Sequence, residues 1–470
     1  MCKSSIIFSF LWLTTTYEVA LHYKIAKIML VLKFGGTSVG SIENMIHVKD
    51  IINNGQQKVV VLSAMSGTTN ALVAISEYIK NKNIDEAFIV IDALRNNYSK
   101  TITSLLSNTD LHTEVSAYVN SIFKELEMLV NTEYSILLYN QIVAQGELLS
   151  TFIFSRYLQQ ENINAALLPA LDFMRIDKTN EPDNYYIQQN LNRIITETPD
   201  AEIYITQGFI CRDAEGEISN LQRGGSDYTA TIIGAVLKAE EVQIWTDIDG
   251  FHNNDPRFVE NTKAISNLSF DESAELAYFG AKILHPQTVM PVRTLDIPVR
   301  LKNTMSPASP GTLITNEVHG EGIKAIAAKD NITAIKIKSA RMLLAHGFLK
   351  KVFEIFERYE TSIDMITTSE IAVSLTIDDT KHLEAIVEEL ERFSIVEVDD
   401  YMSIVCLVGN AIIFHADTPN LFQILQDVSV RMISYGGSNN NISLLINTSD
   451  KVETLKKLQR YVFENDGVLV

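Results

Sequence analysis

The chain has 470 residues, of which 39 are lysine or arginine and 58 are aspartate or glutamate, so its formal net charge is −19. Hydrophobic residues make up 46% and charged residues 21%, which is typical of a folded globular protein and excludes a disordered chain. The acidic excess argues against a nucleic-acid or membrane partner, because the chain has no surplus of cations to neutralise phosphates. The length is sufficient for about two to four domains.

The first 28 residues contain a short apolar run, Ser5–Leu13, that follows a lysine. This run is too short to cross a bilayer, and no convincing cleavage site of small residues follows it. We therefore predict that residues 1–28 are a non-structural leader and that Met29 is the functional start.

The three cysteines, Cys2, Cys211 and Cys406, lie far apart in the sequence and form no Cys-x-x-Cys pair. This spacing indicates neither a disulfide framework nor a zinc site. None of the nine histidines shows metal-ligand spacing, so we expect no protein-bound metal cluster. The pattern is typical of a cytoplasmic protein.

Strand and helix patterns alternate between residues 29 and 315, which predicts an α/β domain with a mainly parallel sheet. Short apolar runs of the kind found in buried parallel strands predict its strands. The predicted strands are Ile28–Phe34, Lys58–Leu62, Ala165–Leu168, Glu202–Thr206, Val242–Trp245, Ile297–Lys302 and Thr312–Thr315. The predicted helices are Glu43–Asn54, Asn70–Lys80, Thr132–Gln160 and Tyr228–Lys238. Residues 316–330 are predicted to be a linker that includes the first strand of the next region.

Residues 331–470 contain a repeat. The string SIDMIT at Ser362–Thr367 has a counterpart SVRMIS at Ser429–Ser434, 67 residues later. Each copy follows a predicted helix and precedes a second strand and a second helix. This order predicts a duplicated ferredoxin-like βαββαβ unit, a small sheet that typically binds small ligands or pairs with another such sheet.

A glycine-rich string, KFGGTSVG, directly follows the first predicted strand. Adjacent glycines let backbone N–H groups approach a phosphate, and a lysine at the end of the strand can neutralise phosphoryl oxygens. The string is not a P-loop, because Ser41 and Ile42 occupy the positions of the P-loop lysine and hydroxyl. For the two glycines alone, an ordinary strand-to-helix turn would be the better interpretation.

The complete string resembles the opening signature of aspartate kinases, within the amino-acid kinase family. The resemblance continues in order through SAMSGTTN, QGELLST, TQGFI, RGGSDYTA, IWTDIDG, DPR and FGAKILHP, between Ser63 and Pro286. It implies an amino-acid kinase fold, a mainly parallel sheet sandwiched by helices, followed by two ACT domains. It also implies ATP- and Mg²⁺-dependent phosphorylation of the β-carboxylate of L-aspartate to 4-phospho-L-aspartate. This reaction is the first step towards lysine, threonine and methionine.

The resemblance also implies roles for individual residues. Lys33 would stabilise the transferring phosphoryl group, and Asp227 would orient that lysine, although Asp227 could equally be a helix cap. An ionised carboxylate nucleophile needs no general base, so positioning and charge neutralisation should dominate catalysis. The residues implied in aspartate binding are Ser63, Thr69, Glu147, Phe209, Arg223 and Ser226.

Two of these residues carry a physical argument of their own. The guanidinium of Arg223 is suited to bidentate binding of a carboxylate. Glu147 lies in mid-helix among apolar neighbours, which is costly unless its carboxylate meets a cation such as the substrate ammonium.

For ATP, the resemblance implies a set of residues that are spread between the glycine string and residue 283. These residues are Lys33, Gly35, Gly36, Thr37, Ser38, Thr246, Asp247, His252, Arg257, Lys282 and Ile283. His252 departs from the family pattern, which often has tyrosine at this position.

The repeat resembles ACT domains, and its first copy is most similar to that of lysine-inhibited aspartate kinases. Asp364 in the first copy corresponds to Arg431 in the second, and only an acidic side chain attracts the amine of an effector. We therefore expect the first copy alone to bind lysine, although Ala345 departs from the lysine-sensitive pattern. The expected lysine-binding residues are Met342, Gly347, Phe348, Leu349, Ser362, Ile363, Asp364, Thr368 and Ser369.

Three alternatives remain open at this level. The enzyme could phosphorylate another small carboxylic acid such as glutamate, or the chain could be a catalytically silent amino-acid sensor. Both ACT copies could also serve only as dimer-forming surfaces. In each case we expect a homodimer or homotetramer assembled through the ACT domains.

Overall fold

The computed structural model describes residues 29–198, 200–222, 224–280, 284–339, 346–415 and 418–464, so the predicted leader lies outside the described residues. The chain divides into two compact units. The first contains the described residues up to Asp249 together with Gln287–Thr315. The second contains Gly250–Pro286 together with the described residues from Asn316 onwards.

The first unit alternates strands and helices, as predicted. Its strands are β1 (Leu30–Phe34), β2 (Lys58–Leu62), β3 (Ala165–Leu168), β4 (Ile203–Gln207), β5 (Ile210–Arg212), β6 (Ile218–Asn220), β7 (Glu241–Thr246), β9 (Val299–Asn303) and β10 (Thr312–Thr315). Its helices are α1 (Ile42–Ile52), α2 (Thr68–Lys80), α3 (Ile84–Leu105), α4 (Thr109–Leu129), α5 (Ile136–Gln160), α6 (Asn184–Glu197), α7 (Gly225–Leu237) and α9 (Met290–Arg293).

The main sheet of the first unit has the strand order β3-β4-β2-β1-β7-β9-β10. Every neighbouring pair is parallel except β9 with β10, which confirms the prediction of a mainly parallel sheet. In β1, Leu32 and Phe34 face a large apolar core shared with helices α1 to α5. Because side chains alternate along a strand, Lys33 faces the other way, where α7 packs against β1. Helices therefore cover both faces of the sheet.

The second unit contains an antiparallel sheet with helices. Its strands are β8 (Asn267–Ser269), β11 (Gly322–Lys338), β12 (Ile366–Thr368), β13 (Ala372–Ile377), β14 (Ile395–Asn410), β15 (Met432–Tyr435) and β16 (Asn441–Asn447). Its helices are α8 (Phe270–Tyr278), α10 (Phe348–Arg358), α11 (Leu383–Glu391), α12 (Leu421–Ile424) and α13 (Lys451–Gln459). Among the described residues of either unit, no helix is long and apolar enough to cross a bilayer.

Both predicted βαββαβ copies are present, but they are nested rather than arranged in tandem. The sheet order is β12-β13-β11-β14-β16-β15, and the long central strands β11 and β14 are shared by both copies. The part of β11 from Thr333 onwards pairs with β13 in the first copy. The part from Gly322 to Lys329 pairs with the later half of β14 and completes the second copy. Residues 316–330, predicted to be a linker that includes the first strand of this region, contain the start of β11 at Gly322. The order of the repeats in the sequence does not show that this strand also completes the second copy.

The segment Gly250–Pro286 lies within the predicted catalytic domain, residues 29–315, and groups by its contacts with the second compact unit. Within the second unit, the side chain of Asn254 donates to the carbonyl of Leu455 at 3.2 Å. Glu272 forms a capping box with Ser269 at the start of α8, and its carboxylate lies 2.7 Å from the ammonium of Lys324 on β11. Polar contacts therefore join this segment to α13 and β11 of the second unit.

The Glu272–Lys324 ion pair generates a stability prediction. The Glu272 side chain is only 1% exposed, and removing one partner of a buried pair leaves the other charge unpaired. We expect Glu272→Ala to lower the free energy of unfolding of the second unit by about 3 kcal/mol. Urea denaturation followed by circular dichroism measures this loss, with the exposed Glu260→Ala as the control. A change as small as that of the control would contradict the prediction.

Candidate active site

The candidate site lies where parallel strands of the first unit end. Strands β1, β2, β4 and β7 run in the same direction, so their carboxyl ends meet at one edge of the sheet. Ligands of open α/β sheets bind at such an edge, in the crevice beyond the strand ends. The glycine string and three further predicted motifs follow these four strands directly.

Lys33 and Asp227 meet at this edge, as the resemblance implies. The Lys33 ammonium lies 2.8 Å from Oδ1 of Asp227, and both side chains are 13% exposed. Asp227 is in the first turn of α7, whose preceding residue Gly224 has a left-handed backbone with φ 67°. A carboxylate in the first turn is stabilised by the helix dipole, and here it also fixes the direction of the lysine.

The glycine string forms a tight loop whose internal contacts differ from those expected of a simple phosphate cradle. The N–H of Gly35 donates to the carbonyl of Trp245 at 3.2 Å, so this group is already used within the protein. The buried hydroxyl of Ser38 lies 2.7 Å from that of Thr304, so its side chain anchors the loop and does not face the cavity. Thr37 is exposed and lines the cavity.

The second glycine of this string, Gly36, is required because the backbone after β2 approaches it closely. A Cβ atom at Gly36 would lie 2.9 Å from the carbonyl oxygen of Ala64, which is closer than side-chain carbons approach backbone oxygens. The N–H of Ser66 also donates to the carbonyl of Gly36 at 3.1 Å. The glycine loop is therefore locked against the segment that follows β2.

Glu147 is the most unusual ionisable group of the site. It lies in the middle of α5 and is 3% exposed. Its Oε1 accepts from the N–H of Ala64 at 3.2 Å, whereas no donor in the described part of the chain reaches its Oε2. Burial raises the pKa of Glu147 to about 7, although the Ala64 N–H and the Lys33 cation both oppose this shift.

A cavity of about 470 Å³ connects these groups. It is lined by the predicted residues Lys33, Gly36, Thr37, Ser63, Thr69, Glu147, Phe209, Ser226 and Asp227. Residues Gly67 and Gly224, which precede α2 and α7, line it as well, so two helix N-termini contribute their partial positive charge. The arrangement suits a small anionic ligand that also carries a cationic group.

Phe209 reaches the cavity in a strained conformation. Its φ is 66°, a value that non-glycine residues rarely adopt, and its N–H donates to Thr229 Oγ1 at 3.0 Å. A Cβ atom at Gly225 would lie 2.5 Å from the Phe209 ring, so the first residue of α7 must be glycine for the two segments to touch. The loop after β4 and the start of α7 therefore hold each other in place.

Asn70 and Gln222 line the cavity but were not among the predicted site residues. Asn70 belongs to one of the family motifs, and Gln222 immediately precedes another. The signal for Asn70 was available, because it ends the SAMSGTTN string. Gln222 has φ 56°, which only the structure reveals.

The remaining residues expected near ATP divide between the two units. Thr246 and Asp247 follow β7 in the first unit, and the Thr246 hydroxyl donates to Oδ1 of Asp247 at 3.1 Å. His252 and Arg257 belong to the second unit. The ring of His252 lies 3.1 Å from the Thr262 hydroxyl, and the Arg257 guanidinium pairs with Asp255 while remaining 75% exposed. Arg223, Lys282 and Ile283 lie outside the described residues.

Asp364 in the first ACT copy is already paired within its own unit. Its side chain is 1% exposed, and its Oδ1 lies 2.8 Å from the Lys329 ammonium and accepts from the Tyr278 hydroxyl at 2.7 Å. Its Oδ2 is buried and has no hydrogen-bond partner among the described residues. An amine ligand would therefore meet one available oxygen and one that is already neutralised.

The other expected effector residues that the structure describes lie at the start of α10 and on both sides of β12. Gly347 has φ 84° and precedes α10, of which Phe348 and Leu349 form the start. Ser362 and Ile363 precede Asp364, Thr368 ends β12, and the Ser369 N–H donates to the carbonyl of Ala372 at 2.8 Å. Met342 lies outside the described residues.

Comparison with protein families identifies both parts of the chain. The model of the amino acid kinase family matches residues 29–303, and a model of the ACT domain matches residues 405–461. The chain is 34% identical over 453 residues to lysine-sensitive aspartokinase 3 of Escherichia coli, which covers 93% of this chain and 99% of that protein. It is also 34% identical to chloroplastic aspartokinase 1 of Arabidopsis thaliana, over 93% of this chain and 81% of that protein.

Solved structures of aspartokinases are similar to the structure of this chain. E. coli aspartokinase III in complex with aspartate and ADP superimposes with a TM-score of 0.80 at 34% identity, over 93% of this chain and all of that one. The same protein in complex with lysine and aspartate gives a TM-score of 0.78 at 33% identity, over 93% and 99% of the two chains. Since the family model matches more than half of the sequence and the relatives are matched along most of their length, the chain belongs to the amino acid kinase family and, within it, to the aspartate kinases that carry C-terminal ACT domains.

Proposed function

We propose that this enzyme transfers the γ-phosphoryl group of ATP to the β-carboxylate of L-aspartate, giving 4-phospho-L-aspartate and ADP, and that it does so in the cavity at the carboxyl edge of the parallel sheet. The observation that carries this assignment is that one cavity holds both a cation directed by Asp227, Lys33, and a buried carboxylate oxygen of Glu147 that lacks a donor among the described residues. Aspartate offers the complementary charges, a carboxylate nucleophile and an ammonium.

The transfer itself needs little acid–base chemistry. The β-carboxylate of aspartate has a pKa near 4 and is ionised at neutral pH. One of its oxygens attacks the γ-phosphorus, and the bond from phosphorus to the β,γ-bridging oxygen breaks as ADP leaves. Lys33 neutralises charge on the transferring phosphoryl oxygens, and Asp227 keeps the ammonium pointed at them.

Glu147 is proposed to recognise the substrate ammonium through Oε2. A cation at this position compensates the cost of ionising a carboxylate in a residue that is 3% exposed. The hydroxyls of Ser63, Thr69 and Ser226 and the ring of Phe209 line the same cavity and complete the proposed aspartate site. Arg223, which lies outside the described residues, remains our proposed partner for a substrate carboxylate.

ATP is proposed to bind beside the glycine string and the end of β7. Gly36, Thr37, Thr246 and Asp247 supply backbone and side-chain groups there. His252, Arg257, Lys282 and Ile283 remain proposed nucleotide contacts on the basis of the family resemblance alone.

Magnesium is proposed to accompany the nucleotide. The described residues contain no group of three or more histidine, cysteine, aspartate or glutamate side chains that could hold a metal ion. We propose that the ion is held chiefly by phosphates and water, which is how Mg²⁺ usually binds with polyphosphates. When bound, the ion would neutralise charge on the phosphate oxygens.

The reaction is tested by trapping its product. Purified enzyme is mixed with ATP, Mg²⁺ and hydroxylamine, and the acyl hydroxamate is measured with aspartate or with glutamate. Aspartate-dependent product supports the proposal. Product formed only with glutamate indicates a kinase for another acid, and no product from folded protein that binds ATP indicates a silent sensor; either result overturns the proposal.

Replacing Lys33 tests the proposed cation. We expect Lys33→Met to lower kcat about 1,000-fold, since a preorganised donor to developing charge contributes this order of magnitude. The fold should be preserved, because the ammonium is partly exposed at the cavity rather than in the core. The matched control is Lys80→Met, an exposed lysine at the end of α2, whose kcat should stay within twofold of the wild type. Equal activities of the two variants would contradict the role of Lys33.

The raised pKa of Glu147 predicts a pH dependence. Below about pH 7 the free enzyme holds a proton on Glu147, and that proton must leave before the carboxylate can pair with an ammonium. We therefore expect kcat/KM for aspartate to fall as pH decreases through 7, approaching tenfold per pH unit. In Glu147→Gln this acid limb should disappear, and KM for aspartate should rise about 100-fold, the value of a hydrogen bond between charged groups.

The nucleotide provides the control for Glu147. KM for ATP should change less than twofold in Glu147→Gln, because the proposed contact involves aspartate only. An acid limb that persists unchanged in this variant would assign the titration to another group.

For regulation, we propose that the first ACT copy binds lysine through Asp364 and that lysine inhibits the enzyme. The available Oδ2 of Asp364 would accept from an amine of the effector, while Lys329 and Tyr278 hold Oδ1. At the corresponding position of the second copy, Arg431 pairs with Asp399 at 2.7 Å and presents a cation instead. This difference in charge favours one lysine site per chain.

Asp364→Asn tests this site. We expect the variant to keep its activity without lysine and to need at least about tenfold more lysine for half-inhibition, because a charge-assisted hydrogen bond is lost. Arg431→Met is the matched control from the second copy, and its lysine response should be unchanged. Unaltered inhibition of Asp364→Asn would contradict the assignment, and wild-type enzyme that ignores lysine would direct the search to another amino-acid effector.

The oligomeric state and the compartment are also proposals. We propose a homodimer or homotetramer assembled through the ACT domains, and a cytoplasmic location in keeping with the composition of the chain. Light scattering coupled to size exclusion measures the first of these directly.

A further inference from the structure

A single peptide group connects the two proposed aspartate-binding side chains. The peptide between Ser63 and Ala64 is held at both of its polar atoms by side chains of α5. Its carbonyl oxygen accepts from the Ser150 hydroxyl at 2.9 Å, which is shorter than the 3.2 Å from this hydroxyl to its other acceptor, the Glu147 carbonyl. Its N–H donates to Oε1 of Glu147 at 3.2 Å. Positions 147 and 150 are three residues apart on the helix and therefore lie on the same face.

The same peptide is fixed on its other side by the glycine loop. The N–H of Ser63 donates to the carbonyl of Phe34 at 3.1 Å, and the carbonyl of Ala64 lies against Gly36 without room for a side chain. With both neighbours fixed, the remaining freedom of this segment is rotation of the Ser63–Ala64 peptide plane. Ser150 and Glu147 together prevent that rotation.

Rotation of this plane would alter the site at Glu147. It would turn the Ala64 N–H away and remove the donor that occupies Oε1 of Glu147. The carboxylate would then have to find another partner, and Oε2 would no longer be reserved for a ligand. The orientation of one peptide thus determines how Glu147 meets the substrate.

We infer that Ser150 is a positioning residue for aspartate binding, whose hydroxyl fixes the Ser63–Ala64 peptide so that Glu147 offers Oε2 to the substrate ammonium. This inference rests on the proposed role of Glu147 in aspartate binding. Ser150 does not itself touch the cavity and is fully buried.

Other buried hydroxyls of α5 make different contacts. Thr151 donates to the carbonyl of Glu147 at 2.7 Å and accepts from the side chain of Gln207 at 2.7 Å, which joins the helix to β4. Ser155 donates only to the carbonyl of Phe152, within its own helix, at 2.8 Å. Ser155 is therefore a matched control, with the same residue type on the same helix but without a bond to the Ser63–Ala64 peptide.

The test compares Ser150→Ala with Ser155→Ala in steady-state kinetics. For Ser150→Ala we expect KM for aspartate to rise about tenfold, the value of one hydrogen bond, while kcat and KM for ATP stay within twofold. The acid limb of kcat/KM for aspartate should also move to higher pH, because a loosened Ala64 N–H no longer favours the ionised carboxylate. Ser155→Ala should show neither change.

A second variant keeps the test decisive if Ser150→Ala proves unstable. Ser150→Cys retains a weak donor of similar size, and we expect it to raise KM for aspartate about threefold without changing KM for ATP. The inference is overturned if both variants bind aspartate like the wild type, or if KM for aspartate and KM for ATP rise together.

Failure of this inference can be distinguished from failure of the proposed function. If wild-type enzyme makes no aspartyl hydroxamate, the function is wrong. If wild-type enzyme is active but Glu147→Gln leaves KM for aspartate unchanged, the role of Glu147 is wrong. If the wild-type enzyme and Glu147→Gln behave as expected but Ser150→Ala leaves KM for aspartate unchanged, only the positioning role of Ser150 is wrong.

Discussion

The cost of burying the Glu147 carboxylate organises the catalytic cavity. An ionised carboxylate out of contact with water must be compensated, and the protein supplies only part of that compensation through the Ala64 N–H and the nearby Lys33 cation. In the proposed complex, a cationic group of the ligand supplies the remaining compensation. A site built in this way selects for a cation at one particular position, and it makes the charge of the cavity depend on occupancy. The Lys33–Asp227 pair complements this arrangement, because the Lys33 ammonium lies 2.8 Å from Asp227, which in the proposed mechanism directs it to the phosphoryl group instead of letting it neutralise Glu147.

The parallel sheet could be predicted from the sequence because its strands carry strong and independent signals. The runs at 58–62 and 165–168 are strands with the predicted bounds. The meeting of Lys33 with Asp227 could be anticipated from the family motifs. Helices α3 and α4 were not predicted, although Ala87, Ile91 and Leu94 show the spacing of a buried helical face. Here the signal was available and was not used.

Other features could not have been predicted, because they depend on which segments meet in space. Oε1 of Glu147 has a donor and Oε2 has none among the described residues, because of the orientation of the Ser63–Ala64 peptide. No local sequence pattern predicts this orientation. The nesting of the ACT copies has the same origin. A repeat in the sequence reveals two similar units. The strand that completes the second unit, however, precedes the first unit in the sequence, because it is the first half of β11. Only pairing along the whole length of β11 and β14 decides which copy each half of these strands completes.

The two proposed amine sites use the same chemical arrangement in unrelated folds. Glu147 and Asp364 are both buried, each has one oxygen bound by donors of its own unit, and each has a second oxygen without a partner among the described residues. In both places a lysine of the chain, Lys33 or Lys329, lowers the cost of the negative charge without occupying the second oxygen. Such a half-satisfied carboxylate keeps one oxygen for an ammonium, and the contact with that ammonium would compensate its burial. Substrate and effector are both amino acids, so the same physical solution can serve recognition in the catalytic unit and in the regulatory one, and only the surrounding side chains need to distinguish the two ligands.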